Sequence, residues 1–301
     1  MLETLNAIPR KPDGEELKTR GTPLFPCCAY QADIHSFITG EIPPHWHREL
    51  ELFVLLEGSV RLCLVDRHFL LAPGDCCLVN TNVLHGFSCA VKAPCRYRSF
   101  VFDAGLLSGA PGSAFDMLYL RAYLAQGAPA AVLAGGPAAP FWRNAFDDAF
   151  AACRDEPFGY EFLVRAGLSR MIVPLLGQAT VSLPQQAPRP NAIQEARMKT
   201  MLRWLDQHYS EQVSAAALAA SVDICVRECQ RAFARFLHAS PMQYLARRRV
   251  AFAAEQLVCT ELSITEIGFR CGFESPSYFS RQFRAITGFT PNAYRRACRT
   301  G

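Results

Sequence analysis

A chain of 301 residues, half of them hydrophobic, has material for two globular domains with separate cores. It shows no uninterrupted apolar run of membrane-spanning length, and residues 1–21 are too polar to be a signal peptide, so a soluble, cytoplasmic protein without a membrane partner is expected. The net charge of +4 is unevenly divided: residues 191–301 carry 15 basic and 9 acidic side chains, whereas residues 1–190 carry 16 and 18. A basic third on a near-neutral body suits a polyanion-binding module attached to something else. The thirteen cysteines include two adjacent pairs and no CxxC spacing. In a chain of this size that pattern speaks against a disulfide scaffold and for small, buried, reduced side chains.

In chain order, residues 1–23 are rich in proline and charge and read as an arm. Residues 24–105 read as strands. Short apolar runs such as Leu52–Leu56 and Val60–Val65 alternate with turns at Glu57-Gly58-Ser59 and Ala72-Pro73-Gly74-Asp75. Many short strands at this spacing predict a small β-barrel or jelly roll. Residues 106–177 turn helical, with helices expected over Phe115–Leu124, Phe141–Arg154 and Glu161–Leu176 and a loop over 127–140. Residues 178–190 contain three prolines and read as a linker. From residue 191 onward the pattern is helical with short breaks. The fold class is therefore α+β: a β-barrel with helices, then an all-α domain.

The C-terminal third repeats itself. At an offset of 50, Arg231, Phe233, Pro241 and Tyr244 fall on Arg281, Phe283, Pro291 and Tyr294. Each copy has a short helix with a small residue (Ala219 or Gly268), a turn, and a second helix starting near Cys225 or Ser275-Pro276. Ser275 is a natural N-cap, and Pro276 suits the first helical position. This is helix-turn-helix grammar, with units at about 214–237 and 263–287. Cys229, Phe233 and Phe236 mark the core face of one second helix; Phe279, Phe283 and Ile286 mark the other. The opposite faces present Arg227, Gln230 and Arg231, and Ser277, Tyr278, Ser280 and Arg281. Arginine and glutamine suit guanine and adenine edges in the major groove, while hydroxyls, Arg235 and Arg284 can take phosphates. Between the units, a helix from about Pro241 to Leu257 carries Arg247-Arg248-Arg249, read as a spacer with some phosphate contact.

The stretch Gly272-Phe273-Glu274-Ser275-Pro276-Ser277-Tyr278-Phe279-Ser280-Arg281-Gln282-Phe283-Arg284, with Thr287-Gly288-Phe289-Thr290-Pro291 and Tyr294-Arg295-Arg296, resembles the signature of the AraC/XylS family over residues 195–298. The first unit departs from that pattern at Cys225, Cys229 and His238, where serine, leucine and glycine are customary. The resemblance implies a seven-helix DNA-binding domain, a transcription regulator that binds double-stranded DNA and leans toward activation, possible contact with RNA polymerase, and homodimerisation through the helices of 106–177. No catalytic residue is assigned and no cofactor is expected.

The strand region resembles a cupin, with His45-Trp46-His47, Glu51, Gly58, Pro73-Gly74-Asp75 and His85. His45 and His47 point to one face of a strand, and Glu51 has the same parity. In metal-binding cupins the positions of His45, His47, Glu51 and His85 hold a divalent ion. A metal-dependent enzyme or metal sensor is the alternative function. The favoured reading has no metal, because the AraC/XylS resemblance implies a small organic effector held by such a histidine-rich strand. The expected pocket is the barrel interior, with His45, Trp46, His47, Glu51, Phe53, Arg61, His85 and Tyr97 as candidate lining residues.

Overall fold

In the computed structural model, residues 2–3, 15–16, 20–90, 93–126, 128–135, 139–181 and 192–300 are described. The N-terminal part consists of β1 (Leu2–Glu3), β2 (Cys27–Asp33), β3 (Glu41–His45), β4 (Leu50–Leu55), β5 (Val60–Leu64), β6 (His68–Leu71), β7 (Cys76–Val79), β8 (His85–Cys89), β9 (Arg96–Phe102) and β10 (Ala130–Leu133). They form two sheets, ordered β1-β2-β9-β4-β7-β10 and β3-β8-β5-β6. The expected barrel is thus a two-sheet sandwich that does not close into one cylinder. All named strand pairs are antiparallel except β1 with β2.

Strand β4 shows how the layers arise. All six of its residues are buried, because it lies between β7 and β9 with material on both faces. Leu50, Leu52 and Val54 pack outward against helices, whereas Phe53 and Leu55 pack inward between the sheets. A period of two thus aims Glu51 inward as well.

Helix α1 (Gly105–Ser108) leads into a π-helical turn over Phe115–Leu120 and then α2 (Arg121–Gln126). Residues Ala130–Leu133, expected within a loop, instead pair with the edge of β7 as β10. Helices α3 (Ala139–Asp155) and α4 (Tyr160–Val181) cover the outer face of the larger sheet, with Phe146, Phe150, Val164, Leu168 and Met171 in the shared core. Pro174 does not end α4. It removes one donor from the ladder, but Leu175 and Leu176 are buried beyond it and hold the helix in place. The expected linker at 178–190 overlaps the end of α4, and its residues 182–190 lie outside the described residues.

The C-terminal part is all helical: α5 (Ala192–His208), α6 (Ala215–Ala220), α7 (Val226–Leu237), α8 (Pro241–Cys259), α9 (Ile264–Arg270), α10 (Pro276–Thr287) and α11 (Pro291–Thr300). This matches the seven helices implied by the resemblance. Met198, Leu202, Leu218, Phe233 and Phe236 build the core of the first unit, and Val250, Ile267, Phe279 and Phe283 that of the second. Helix α8 contributes Tyr244 and Leu245 to one core and Val250 and Leu257 to the other, so it rigidly joins them. The first core also takes in Trp46, Cys63 and Leu84 from the outer face of the smaller sheet.

Candidate functional site

Two sites emerge, one between the sheets and one on the helical domain. Between the sheets, His45, His47, Glu51 and His85 are all buried, and one ligand atom from each lies within 4.8 Å of every other. Strand pairing sets His45 directly opposite His85. In each histidine Nδ1 faces a backbone carbonyl: Pro43 O at 2.9 Å from His45, Glu49 O at 3.1 Å from His47 and Val83 O at 2.8 Å from His85. A carbonyl only accepts, so each Nδ1 carries a proton, and each ring turns its Nε2 inward. His85 Nε2 lies 3.0 Å and His47 Nε2 3.6 Å from Glu51 Oε2.

Three inward Nε2 atoms and a carboxylate converge in a buried space, so protons or a cation must lie between them. Burial and the neighbouring His85 and His47 rings push the His45 imidazole well below the usual histidine range. Burial raises the Glu51 carboxyl, but the facing His47 and His85 rings outweigh it and hold it well below its usual value. His47 Nε2 has no hydrogen-bond partner among the described residues. Carbonyl-oriented imidazoles with inward Nε2 atoms are the outer-shell arrangement of metal-ligating histidines, so these residues fit a divalent ion.

The space beside this cluster is about 10 Å³, bounded by Glu16, Arg20, Tyr30, His45, Glu51, Tyr97 and Ser99. That is about the room for one water. Arg20 from the arm hydrogen-bonds Tyr30 and pairs with Glu16, filling the interior. Tyr97 stacks 4.8 Å from Phe53, which stacks 4.3 Å from Phe87. An organic effector would therefore have to displace the arm. Two expected lining residues point elsewhere. Trp46 lies between two inward histidines, so parity sends it outward into the core of the helical domain. Arg61 alternates with the inward Val60 and Leu62 and sits on that same outer side.

On the helical domain, Arg227, Gln230 and Arg231 are exposed on α7, and Ser277, Tyr278, Arg281 and Arg284 on α10, with Ser280 half-buried. The Arg281 guanidinium stands 5.6 Å from the Tyr278 ring centre. Ser275 caps α10 by accepting the Tyr278 amide at 3.2 Å. Cys225 stands at the equivalent cap of α7 without a side-chain bond to the helix backbone. The helix ends differ too: Gly288 takes the left-handed conformation with φ of 79°, and His238 is held in it with φ of 49°. At Gly268 a Cβ would stand 2.9 Å from the Phe279 ring, which explains the small residue there.

The arginine triplet of α8 is engaged within the protein. Arg248 pairs with Asp206 at 2.8 Å and is largely buried, and Arg249 donates to the carbonyls of Tyr209 and Glu211. Arg247 pairs with Glu41 of β3 at 3.1 Å. Arg235 is held as well: it donates to Asp66 O at 3.1 Å, while its own carbonyl accepts from His68 Nε2 at 2.8 Å. Sequence reasoning could not find these partners, because 38–42 residues separate those of Arg248 and Arg249, and 167–206 those of Arg235 and Arg247.

Helix α5 docks on the back of the histidine cluster. Lys199 Nζ lies 5.3 Å from the Trp46 ring centre, pairs with Glu195 at 2.9 Å and donates to Asn82 O. Glu195 accepts the Leu84 amide at 2.9 Å, one residue before His85. An open cavity of about 490 Å³ between Val65, Arg197, Met201, Glu228, Arg231 and Arg235 borders this interface, so Arg231 faces both solvent and the sandwich.

Residues 35–138 match the family profile described as AraC-like ligand binding domain, and residues 218–297 match that described as helix-turn-helix domain. The chain is a member of the AraC/XylS family. As such it is a DNA-binding transcription regulator, with the ligand-binding sandwich preceding the paired helix-turn-helix units. An uncharacterized HTH-type transcriptional regulator of Bacillus subtilis, YdeC, is 25% identical over 290 residues, covering 94% of this chain and 96% of that protein. The HTH-type transcriptional activator RhaS of Enterobacter sp. is 32% identical over 101 residues, covering 34% of this chain and 36% of that protein. The crystal structure of the AdpA DNA-binding domain with a target DNA is 34% identical, covering 33% of this chain and 90% of that one, with a TM-score of 0.32. No helix among the described residues is long and apolar enough to cross a membrane.

Proposed function

We propose that this AraC/XylS regulator is an effector-responsive activator whose sensing centre and DNA-binding domain share one structural wall. The observation that carries the reading is the alternation at His45-Trp46-His47. Its outer residues face the polar centre, and its middle residue is buried against the domain that carries the recognition helices. A ligand that binds better to one arrangement of β3 and the Asn82–His85 segment shifts the docking of α5 by that difference in affinity. Activation is supported by the name of RhaS, which matches the C-terminal third.

In this reading α7 and α10 enter successive major-groove faces of a duplex. The 19 residues of α8 span about 28 Å, near the helical repeat of B-DNA. Arg227, Gln230 and Arg231, and Ser277, Tyr278, Ser280 and Arg281, meet base edges, and Arg284 meets phosphate. Release of the Asp66–His68 turn from α7 frees Arg235. Exposed Phe162 and Val173, on one side of α4, support homodimerisation through the helical part of the sandwich domain. Once bound to DNA, an activator of this kind contacts RNA polymerase.

A divalent cation is the ligand that the centre fits by size and by donor set, held by His45, His47, Glu51 and His85. When bound, it would supply the fixed positive charge that the four acceptors lack. Selection from a random duplex library with the full-length chain tests the regulator reading. The expected result is one enriched pair of half-sites a helical turn apart, bound with a steep salt dependence. Enrichment of no sequence would contradict it.

A further inference from the structure

A second cluster of metal-ligating side chains stands at the rim of the sandwich. His35, in the short 3-10 turn after β2, lies beside Cys89 at the end of β8 and Cys95 immediately before β9. One donor atom from each is within 4.8 Å of the others, and His35 Nδ1 stands 3.7 Å from Cys89 Sγ. With Zn–S near 2.3 Å and Zn–N near 2.0 Å, two ligands at a tetrahedral angle stand about 3.6 Å apart. The pair is therefore already at ligand spacing.

The surroundings hold these three residues together. Asp33 Oδ1 accepts the amides of both His35, at 2.9 Å, and Cys95, at 3.2 Å. The Ile34 amide donates to Cys95 O at 2.9 Å, tying the turn to β9. Gly58, at φ of 91°, makes room for the Cys95 thiol: a Cβ there would sit 2.7 Å from Cys95 Sγ. Cys95 is fully buried, Cys89 partly so, and His35 is exposed, so an ion reaches the cluster from solvent.

We propose that His35, Cys89 and Cys95 form a zinc site, separate from the cluster between the sheets. Two thiolates and an imidazole are soft-to-borderline donors that select zinc over magnesium or calcium, and a water completes four-coordination. Binding replaces the two thiol protons, which pass to solvent, and no electron is transferred. The site also has a mechanical consequence. The segment it anchors continues to Ile38, which packs against the core of the second helix-turn-helix unit, and to Glu41, which pairs with Arg247. Zinc at the rim would fix the segment through which the sandwich touches α8.

Cobalt(II) titration of the reduced, metal-free full-length chain tests the site. A thiolate-to-cobalt charge-transfer band in the near ultraviolet, saturating at one equivalent in a His47→Ala background and displaced by zinc, is expected. The cluster of His45, His47, Glu51 and His85 has no sulfur, so His47→Ala should leave the band intact. Cys89→Ser should abolish it, and His35→Gln should weaken cobalt binding at least about ten-fold. Neither Cys89 nor His35 is a core residue, and unchanged circular dichroism checks that both variants fold. Absence of the band, its persistence in Cys89→Ser, or unaltered affinity in His35→Gln would overturn the site.

Discussion

The ammonium of Lys199 stands 5.3 Å from the centre of the Trp46 ring, and Trp46 is flanked in sequence by the two histidines that face the polar centre. The same few residues of backbone thus line the polar centre on one side and seat the first helix of the DNA-binding domain on the other. Lys199→Ala removes the cation–π contact and the bond to Asn82 O, worth about 1–2 kcal/mol in a largely desolvated setting. The amides of Asn82–Leu84 should then exchange with solvent roughly ten-fold faster, while those of α9 and α10 keep their protection. Hydrogen exchange with mass spectrometry reads this directly. Unaltered exchange at Asn82–Leu84 would mean that Lys199 does not join the domains.

The four-residue centre predicts ligand-linked stability. A divalent ion at about a thousand times its dissociation constant should stabilise the chain by roughly 4 kcal/mol, seen as a rise in melting temperature. His47→Ala should lose most of that rise, because His47 contributes one of three inward Nε2 atoms. Equal stabilisation of both proteins would place the ion elsewhere.

The second helix-turn-helix unit should tolerate little at its crossing point. Gly268→Ala places a Cβ 2.9 Å from the fully buried Phe279 ring. Relief requires moving the ring or separating α9 from α10, at a cost of about 1–3 kcal/mol. Chemical denaturation followed at the helical domain should show that loss.

The cysteines divide by burial. Cys225, Cys259 and Cys298 are exposed. Burial pushes the thiols of Cys27, Cys76 and Cys77 far up, so they stay protonated. Labelling of the native, reduced chain at neutral pH should modify the three exposed thiols rapidly and leave these buried ones untouched until unfolding. Peptide mapping distinguishes the two groups.

How much of this was legible in the sequence depended on how local the determining interactions are. Ser275, Pro276 and the phenylalanines at 279 and 283 act within one helix and its neighbour, so the second unit could be read almost residue by residue. The inward set of His45, His47 and Glu51 was legible from the HxH alternation together with the cupin-like spacing. The same parity already sends Trp46 outward, and its assignment to the pocket overlooked that. Strand β10 exists because β7 offers an edge, which Ala130–Leu133 cannot announce. Arg235 looked like a phosphate ligand, and Arg247 and Arg248 like a spacer's solvated face with some phosphate contact, because their partners Asp66, Glu41 and Asp206 come from other segments. The arm's occupation of the interior by Arg20 and Glu16 is a tertiary fact of the same kind.

The central claim is that α10 reads DNA sequence through Arg281. On a duplex selected by the full-length chain, Arg281→Ala should weaken specific binding at moderate salt by about 1–3 kcal/mol, roughly five- to 150-fold. Binding to unrelated duplex should change far less, because one phosphate-independent contact is lost. Specific binding by Arg281→Ala as tight as that of the unaltered chain would contradict the account.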